Sequence, residues 1–383
     1  MAQSFYSLIT IVRKVSFLVA KNFLVSIMIG LLASPPTLAV ESSPSWEQIL
    51  AAAQKEGRVS VIGPQGSEVR DALTLPFQKK YPEIKVDFQG MSPAAMSPKL
   101  LPELAAGRNS TDVVIAGTTT MLESLLPANA LVSLKPLLSG PNTKDPSQWF
   151  GGKMKFADNA GIYNLVFSSY VKSPFVYNTK QISRDDIKSW RDLLYPKWQG
   201  KIEFKDPRIA GGGLSSVTMW YVTESLGKDF IRKFLTQKDL MIMRDDGQML
   251  NFCAQGKYPI AVGVGEVPAN EYINKGLPLQ QQGSEYLKEG TYVTAGSGSL
   301  AIPRSTPHPN AMRVYLDFLL SPEGQLAWSK ATSVASLRRD VPRDHVLDVF
   351  VPKEGVSYLS LSDEKYVRMR DEIAAFIKTI VPR

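Results

Sequence analysis

Short apolar runs alternate with amphipathic segments along most of this 383-residue chain. The run RVSVIG predicts a strand and precedes a helix that begins at Ser67. In the next run, IKVDFQG, the side chains of Ile84, Val86 and Phe88 share one face, and the run DVVIAG then precedes another helix. Alternating strands and helices with short connections predict a mainly parallel sheet that is covered on both faces.

The same alternation begins again after FVYNTKQIS. Three further runs predict strands, and two apolar segments between them predict helices. The strands are GKIEFKDP, DLMIMR and YPIAVGVG, and the helices are GLSSVTMWYVTESLG and GQMLNFCAQGK. A β-like run, TYVTAGSGSLAIP, is followed by helices with clear start signals, such as Ser321 followed by Pro322. A last helix is predicted at 362–380, where apolar residues at helical spacing form a packing stripe. The chain is therefore predicted to form two α/β units.

The first 39 residues carry the pattern of a secretory signal. The basic residues Arg13, Lys14 and Lys21 lead into the apolar stretch FLVSIMIGLLA, which is followed by the small-residue sequence TLA. The apolar stretch is short for a membrane-spanning helix, which needs roughly 20 residues. We therefore expect an exported protein that begins near Val40. The alternative is a retained N-terminal anchor helix.

Charge and cysteine content narrow the class of protein. The formal charge is +8, and residues 1–39 hold three basic and no acidic residues, which leaves +5 for the exported part. No block of five or six like charges occurs, so nucleic acid is not an expected partner. The single cysteine, Cys253, cannot form an intramolecular disulfide, so stability must come from buried apolar area. The exported part is longer than the roughly 250 to 300 residues at which one core stops growing, which again predicts two lobes.

Small polar loops follow several of the predicted strands. The helix after the GKIEF strand begins with three consecutive glycines, followed closely by Ser215 and Ser216. A helix N-terminus presents unpaired N–H groups and a partial positive charge, and it therefore favours anions. Ligands of open α/β sheets bind beyond the carboxyl ends of the strands, so these loops together predict one cleft. The alternative is that each glycine only permits a tight turn.

We expect a defined set of residues to contact a ligand in this cleft. Most of them lie in the small polar loops, and Tyr177 lies near the boundary between the two units. The expected ligand-binding residues are Gly66, Ser67, Thr118, Thr119, Tyr177, Gly211, Gly212, Gly213, Ser215 and Glu266.

Common catalytic and metal-binding motifs are absent from the sequence. It contains no G-x-S-x-G elbow, Walker loop, H-E-x-x-H or paired-cysteine motif. The only histidines are His308 and His345, and His308 lies between two prolines at a predicted helix start, where we expect it to cap or pack. We therefore expect no catalytic residue, no cofactor and no metal site. An extracytoplasmic enzyme on the same fold is the alternative, because a fold does not determine a function.

Several stretches together resemble the extracellular solute-binding proteins of ABC importers. These stretches are SWRDLLYPKWQGKIEFKDPRIAGGG, FVYNTK, YPIAVGVGE, SGSLAIPRSTPHPNAMRVYLDFLLSPEGQLAW and FQKKYPEIKVDF. More narrowly, they resemble the branch that contains ferric-ion, thiamine, polyamine and aminoethylphosphonate binders. The resemblance implies an α/β, two-lobed type II periplasmic-binding-protein fold. Each lobe would be a mainly parallel sheet with helices on both faces, and the ligand cleft would lie between the lobes.

The resemblance also implies a division of the chain and a role. The chain would cross between the lobes near 168–178 and 288–298, which permits hinge closure. The implied protein is a periplasmic monomer that captures a small polar or zwitterionic solute and delivers it to an ABC permease in the inner membrane. The segments are 1–39 as the signal peptide, 40–170 as the first part of lobe 1, 171–290 as lobe 2, and 291–383 as the return to lobe 1 with the C-terminal helices.

The sequence departs from the ferric members of this branch. Those proteins hold iron with two adjacent tyrosines just after the strand that here reads YPIAVGVG. This chain has Glu266, Val267 and Pro268 at that place, and it contains no pair of adjacent tyrosines. Because Fe³⁺ needs several anionic oxygen donors, ferric binding is the alternative rather than the expected function. Glu266 suggests instead a cationic group on the ligand, such as an amine, or else a helix-capping carboxylate that does not meet the ligand.

Overall fold

The computed structural model describes residues 44–209, 211–353 and 355–381. The predicted signal segment, residues 1–39, lies outside the described residues. The described helices are α1 (Trp46–Glu56), α2 (Ser67–Lys80), α3 (Pro93–Ala105), α4 (Gly212–Val222), α5 (Gly227–Leu235), α6 (Asp246–Ala254), α7 (Glu266–Asn274), α8 (Pro309–Leu319), α9 (Pro322–Thr332), α10 (Glu364–Val367) and α11 (Arg370–Lys378). The described strands are β1 (Arg58–Gly63), β2 (Lys85–Gly90), β3 (Val113–Ala116), β4 (Lys155–Phe156), β5 (Leu165–Val166), β6 (Tyr170–Val171), β7 (Phe175–Asn178), β8 (Ile202–Lys205), β9 (Met241–Met243), β10 (Ile260–Val262), β11 (Leu279–Gln281), β12 (Tyr292–Thr294), β13 (Ser299–Ala301) and β14 (Leu359–Ser360). Within the described part of the chain, no helix has the length and apolar character that crossing a membrane requires.

The first sheet has six strands in the order β2-β1-β3-β13-β5-β4. Strand β1 runs parallel to β2 and β3, whereas β13 runs antiparallel to β3 and β5, and β4 runs antiparallel to β5. Strand β3 is buried along its whole length, as expected for a central strand with both faces covered. Phe77 of α2 packs edge-on against Tyr315 and Phe318 of α8, with ring centroids 5.1 and 5.4 Å apart. This aromatic contact holds two helices against each other in the first core.

The second sheet has five strands in the order β11-β7-β10-β8-β9. Strand β8 runs parallel to β9 and β10, and β7 runs antiparallel to β10 and β11. A separate apolar core lies on this sheet, with Trp220 of α4 at its centre. The indole contacts the rings of Trp190, Phe204 and Phe234 at centroid distances of 5.1, 5.5 and 4.8 Å. The sequence left open which of Trp220 and its neighbour Tyr221 faces the sheet, and Trp220 is the one that does.

The α/β class is confirmed, but both sheets are mixed where the sequence predicted mainly parallel sheets. In each sheet the parallel strands are those joined by helical connections within one lobe. Strand β13 joins the first sheet after the chain has passed through the second, and it enters between β3 and β5 in the opposite direction. The pattern of apolar residues reports that a strand is buried and carries no information about its direction, so the antiparallel members were not predicted.

A small third sheet joins the two segments that were predicted to cross between the lobes. Its order is β14-β12-β6. Strands β6 and β12 run antiparallel, with Val293 opposite Val171 and Thr294 opposite Tyr170, and β14 runs parallel to β12. The two predicted crossing segments therefore lie side by side and are hydrogen-bonded to each other.

The C-terminal segment packs on both cores. Val367 of α10 lies in the core of the first sheet, whereas Ile373 and Ile377 of α11 lie in the core of the second sheet with Trp220. The prediction assigned 291–383 to the return to lobe 1 with the C-terminal helices, and the packing shows that α11 contacts α4 of the second unit. The lobe boundaries themselves remain a prediction.

Local start signals explain where helices begin. Ser321 caps α9 by accepting a hydrogen bond from the N–H of Gly324 at 3.2 Å, and Pro322 occupies the first position, as predicted. Ser45 and Gln48 form a reciprocal capping box at α1.

Candidate functional site

One face of the third sheet carries a group of polar side chains. Thr294 lies opposite Tyr170 in the antiparallel pair, and the N–H of Lys172 donates to the carbonyl oxygen of Tyr292 at 2.9 Å. Because side chains alternate between the faces of a strand, Tyr170, Lys172, Tyr292 and Thr294 share one face. Tyr170, on this face, lies beside residues that follow strands of the first and the second sheet.

A cavity of about 410 Å³ lies beside Tyr170. The first unit contributes Pro64 and Val69 to its lining, and the second contributes residues 265–268. Residues 295–297, which follow β12, complete part of the wall. Because the lining comes from both units and from a crossing segment, the cavity has the position expected for a ligand cleft.

Glu266 lines this cavity but is already paired with a cation of the protein. Its Oε1 lies 2.6 Å from Nζ of Lys172, and it accepts a hydrogen bond from the N–H of Ser173 at 3.1 Å. Both charged side chains are less than a tenth exposed, and Nζ of Lys172 also donates to the carbonyl oxygen of Val264 at 2.7 Å. The pair anchors the first turn of α7 to the crossing segment. The charge of Glu266 is thus explained within the protein, which removes the reason for expecting an amine on the ligand.

In the glycine loop before α4, close backbone packing requires glycine at Gly212 and Gly213. A Cβ atom on Gly212 would lie 2.1 Å from the carbonyl oxygen of Gly263, and one on Gly213 would lie 2.1 Å from the carbonyl oxygen of Lys205. Gly211 has a φ of +147° and no atom within 4 Å of the place a Cβ would take. The expectation that Gly212 and Gly213 expose their backbone to a ligand therefore has a competing explanation, because only glycine lets α4 approach the ends of β8 and β10 so closely.

The first turn of α4 does reach the face of the third sheet. Tyr292 is buried, and the hydroxyls of Ser215 and Ser216 lie near its phenol. Burial and the charge of Glu266 raise the pKa of Tyr292, while these hydroxyls and the charge of Arg370 oppose the rise. Burial raises the pKa of Tyr170 as well. Both phenols are therefore protonated at neutral pH and can donate hydrogen bonds.

Thr119 meets a residue that the sequence did not single out. Nη1 of Arg370 donates to Oγ1 of Thr119 at 2.5 Å. Thr119 follows β3 of the first sheet, whereas Arg370 begins α11, which packs on the second core. Burial lowers the pKa of Arg370, and the charge of Glu123 opposes this effect. The structure therefore brings together Thr119, Ser215, Tyr292 and Arg370 around one region.

The remaining predicted residues lie elsewhere or make no described polar contact. Gly66 and Ser67 line a separate pocket of about 350 Å³. Tyr177 is buried in β7, and its hydroxyl donates to Oε1 of Gln280 at 2.9 Å, so the structure does not bring it to the cavity. Thr118 is buried directly after β3 and next to Thr119. Of the predicted set, Ser215 and Glu266 lie close to side chains on this face of the third sheet, and Thr119 contacts Arg370 of α11.

Sequence reasoning missed Arg370 and Lys172. Arg370 stands in the stretch KYVRMRDE, where alternating charges are typical of a solvated helix. Lys172 stands alone in the crossing segment, and nothing in its neighbours indicates the partner Glu266, which is distant along the chain. No local signal identifies either residue, because the folded chain supplies both partners.

Histidines and carboxylates do not form a catalytic group at the cavity. Glu266 is the one carboxylate among the described lining residues, and no histidine is among them. Nδ1 of His308 lies 2.8 Å from Asp112, at the start of β3. Nε2 of His345 lies 2.8 Å from Oγ of Ser329. Among the described residues, no group of three or more His, Cys, Asp or Glu side chains has an arrangement that could hold a metal ion.

Solved structures share this architecture. The chain is similar to the Trichodesmium protein IdiA (FutA) in complex with iron and citrate ligands, with a TM-score of 0.64 and 16% identity over 85% of this chain and 100% of that chain. It is also similar to the periplasmic binding protein AfuA from Actinobacillus pleuropneumoniae with exogenous fructose-6-phosphate bound, with a TM-score of 0.58 and 18% identity over 85% of this chain and 98% of that chain. These matches confirm the two-lobed type II periplasmic-binding-protein fold.

Two sequence comparisons identify a similar protein and a matching family. An uncharacterized protein of Haemophilus influenzae is 27% identical over 182 residues, which is 43% of this chain, and the chain spans about half (47%) of the length of that relative. A family model described as bacterial extracellular solute-binding protein matches residues 44–326. That match covers most of both sheets and the whole of the crossing segments, and the chain belongs to the bacterial extracellular solute-binding protein family.

Proposed function

We propose that this protein is the substrate-binding component of an ABC importer, which captures a small polar solute and delivers it to a membrane permease. The observation that carries the proposal is the cavity beside Tyr170, because its lining comes from both units and from a crossing segment. Family membership supports the role. The similar structures were solved with iron and citrate and with fructose-6-phosphate; citrate and fructose-6-phosphate are small polar solutes, and the iron is consistent with the ferric alternative.

Hinge closure is the mechanism that this arrangement supports. The two sheets have separate cores, and the short strands β6 and β12 lie where the chain is predicted to cross between them. A rotation about such short segments can change the width of the cleft without disturbing either core. A solute that contacts both walls stabilises the closed arrangement by its differential affinity for it.

We further infer that the protein acts in the periplasm as a monomer. The inference rests on family membership and on the signal pattern in residues 1–39. The permease in the inner membrane is the proposed partner, and nucleic acid is not.

The ferric and enzymatic alternatives have weaker geometric support. A ferric site needs several anionic oxygen ligands, whereas burial raises the pKa of both Tyr170 and Tyr292 and the carboxylate of Glu266 is engaged by Lys172. Catalysis needs positioned acid, base or metal groups, and the described lining of the cavity offers one paired carboxylate.

Blocking the cavity tests the proposal. Val267 lines the cavity, and its side chain is 57% exposed, so Val267→Trp can fill the cavity without disturbing a core. A panel of sugars, amines, carboxylates, phosphate esters and ferric citrate should contain a solute that raises the melting temperature of the wild-type protein. We expect Val267→Trp to weaken binding of that solute at least about tenfold, measured by isothermal titration calorimetry.

Leu75→Trp is the matched control. Leu75 is 58% exposed on α2 and is not part of the described cavity lining, so this variant should bind like the wild type. Equal binding by wild type and Val267→Trp would place the solute site elsewhere. Turnover of the solute would support the enzyme, and tight ferric binding with a visible tyrosinate absorption band would support the iron carrier.

A further inference from the structure

Arg370 is a partly buried cation that forms no ion pair with a carboxylate in the part of the chain that the structure describes. Its guanidinium makes one described hydrogen bond, from Nη1 to Oγ1 of Thr119 at 2.5 Å. Among the described residues, no carboxylate lies within 4.0 Å of it, although Glu123 is near enough to influence its charge. A guanidinium has five N–H donors, so most of its hydrogen-bonding capacity is open to another partner.

Among the described residues, the two cations that are more fully buried than Arg370 are each paired. Lys172 lies 2.6 Å from Glu266, and Arg338 lies 2.7 Å from Asp340. A desolvated cation is costly unless an anion compensates it. The difference between Arg370 and these two residues indicates a place where the anion comes from outside the chain.

The surroundings of Arg370 offer further hydrogen-bond donors beside the charge of Glu123. The phenol of Tyr292 interacts electrostatically with the guanidinium, and the hydroxyls of Ser215 and Ser216 near the start of α4 lie close to that phenol. The N-terminus of this 11-residue helix adds a partial positive charge. A guanidinium, a phenol, hydroxyl groups and a helix N-terminus together form the donor set that binds oxyanions.

The position of Arg370 also connects the two units. Its helix is fixed to the second core through Ile373 and Ile377, while its guanidinium reaches Thr119 on a loop of the first sheet. An anion held at this point would contact a group carried by the second core and a loop that ends a strand of the first. Binding there would therefore favour the closed arrangement of the cleft.

We propose that Arg370 binds an oxyanion of the transported solute, a carboxylate or a phosphate, with Thr119, Ser215 and Tyr292 as the surrounding donors. The proposal rests on the proposed function as a solute receptor and specifies its substrate class. The paired state of Glu266 supports the same conclusion, since the Lys172–Glu266 pair contributes no net charge to the cleft whereas Arg370 contributes one positive charge.

Four probes test the charge preference on the full protein: citrate, inorganic phosphate, fructose 6-phosphate and uncharged fructose. We expect at least one anionic probe to bind the wild-type protein in isothermal titration calorimetry, and fructose to bind at least about tenfold more weakly than its phosphate. Citrate alone would identify the group as a carboxylate, and the two phosphates alone would identify it as a phosphate. Preference for fructose over every anion would overturn the proposal.

Substitution at Arg370 tests the residue. Arg370→Gln should weaken binding of the anionic probe about ten- to a hundredfold, because a charge-assisted hydrogen bond is lost. Arg370→Lys should restore part of the affinity, since it keeps the charge and loses the planar fork. Arg368→Gln is the matched control: its side chain is 54% exposed and pairs with Glu364, and this variant should bind like the wild type.

The outcomes distinguish the assignment of Arg370 from the receptor function. If Arg370→Gln binds the anion as tightly as the wild type, the assignment of Arg370 is wrong while the receptor function stands. If no probe and no other solute of the wider panel binds the wild type, the receptor function fails. Should Arg370→Gln not fold, which its melting curve shows, Thr119→Val serves instead: it removes the partner that positions Arg370 and should weaken anion binding several-fold, and unchanged affinity would contradict the proposal.

Discussion

At the residue scale, Glu203 is a buried carboxyl group that no cation or donor compensates. Its side chain is fully buried in β8, and neither oxygen has a hydrogen-bond partner among the described residues. Burial raises the pKa of Glu203 from 4.5 to about 9, and the charge of Lys257 opposes the rise. The group is therefore protonated in the folded protein at neutral pH.

The raised pKa of Glu203 predicts how stability depends on pH. Between its unfolded pKa of 4.5 and its folded pKa of about 9, the folded protein holds a proton that the unfolded chain releases. Its contribution to stability is therefore fully present below about pH 4.5 and is lost as the pH rises through about 9. Glu203→Gln keeps the shape of the side chain but cannot ionise. Its free energy of unfolding should therefore exceed that of the wild type by an amount that grows as the pH rises through this range, by up to about 1.4 kcal/mol per pH unit.

Thermal unfolding of both proteins at several pH values measures this difference. Glu224→Gln, an exposed substitution of the same type, should follow the wild type. Parallel curves for the wild type and Glu203→Gln would show that Glu203 is ionised in the folded protein.

Which site residues could be predicted depends on where their partners lie. Thr119, Ser215 and Glu266 follow strand ends, so the rule that ligands bind at the carboxyl ends of strands locates them from local sequence. Arg370 and Lys172 take their roles from residues that lie far away in the chain. Tertiary contacts determine these roles, so the local sequence around each residue does not predict them.

At the element scale, the glycines before α4 show how one pattern has two physical causes. A run of glycines at a helix start is needed for a close ligand or for close backbone packing. At Gly212 and Gly213 the nearest atoms are backbone atoms of Gly263 and Lys205, so packing between α4 and the strand ends is sufficient to require glycine. Ser215, one turn further on, lies near the phenol of Tyr292, and its contact with a ligand stays a prediction.

This packing predicts that a substitution at Gly212 lowers the stability of the fold, whereas a ligand-binding role alone would lower only the affinity for the ligand. A Cβ atom 2.1 Å from the carbonyl oxygen of Gly263 must displace backbone atoms of a buried strand end. We expect Gly212→Ala to lower the free energy of unfolding by about 3 kcal/mol or to prevent folding. Gly211→Ala, which meets no atom within 4 Å and carries only backbone strain at a φ of +147°, should cost about 1 kcal/mol.

Urea unfolding of the two variants gives the comparison. A Gly212→Ala protein of wild-type stability that binds its solute weakly would restore the original interpretation, in which the bare backbone serves the ligand.

At the scale of the whole molecule, periodicity and length were sufficient to predict two α/β units, and the family resemblance supplied their two-lobed arrangement. The direction of the later strands could not be predicted, because β13 and β7 enter their sheets after long passages of chain that carry no directional signal. The packing of α11 on the second core was likewise missed, since its apolar stripe at Ile373 and Ile377 fits any apolar surface.

The distribution of stability over the molecule follows from the lengths of its strand pairings. The buried central strands β3 and β10 each lie between two neighbours inside a large core, whereas β6 pairs with β12 over only two residues, in a sheet of three strands. Opening such a short ladder breaks few hydrogen bonds, and local opening governs amide hydrogen exchange. We expect amides of 170–172 and 292–294 to exchange at least about tenfold faster than those of β3 and β10, which corresponds to about 1.4 kcal/mol in opening free energy.

A solute that closes the cleft should slow amide exchange in the crossing segments and leave exchange in β3 and β10 unchanged. Hydrogen exchange with mass spectrometry measures both, and uniform protection across all three sheets would show that the crossing segments are as rigid as the cores and do not act as a hinge.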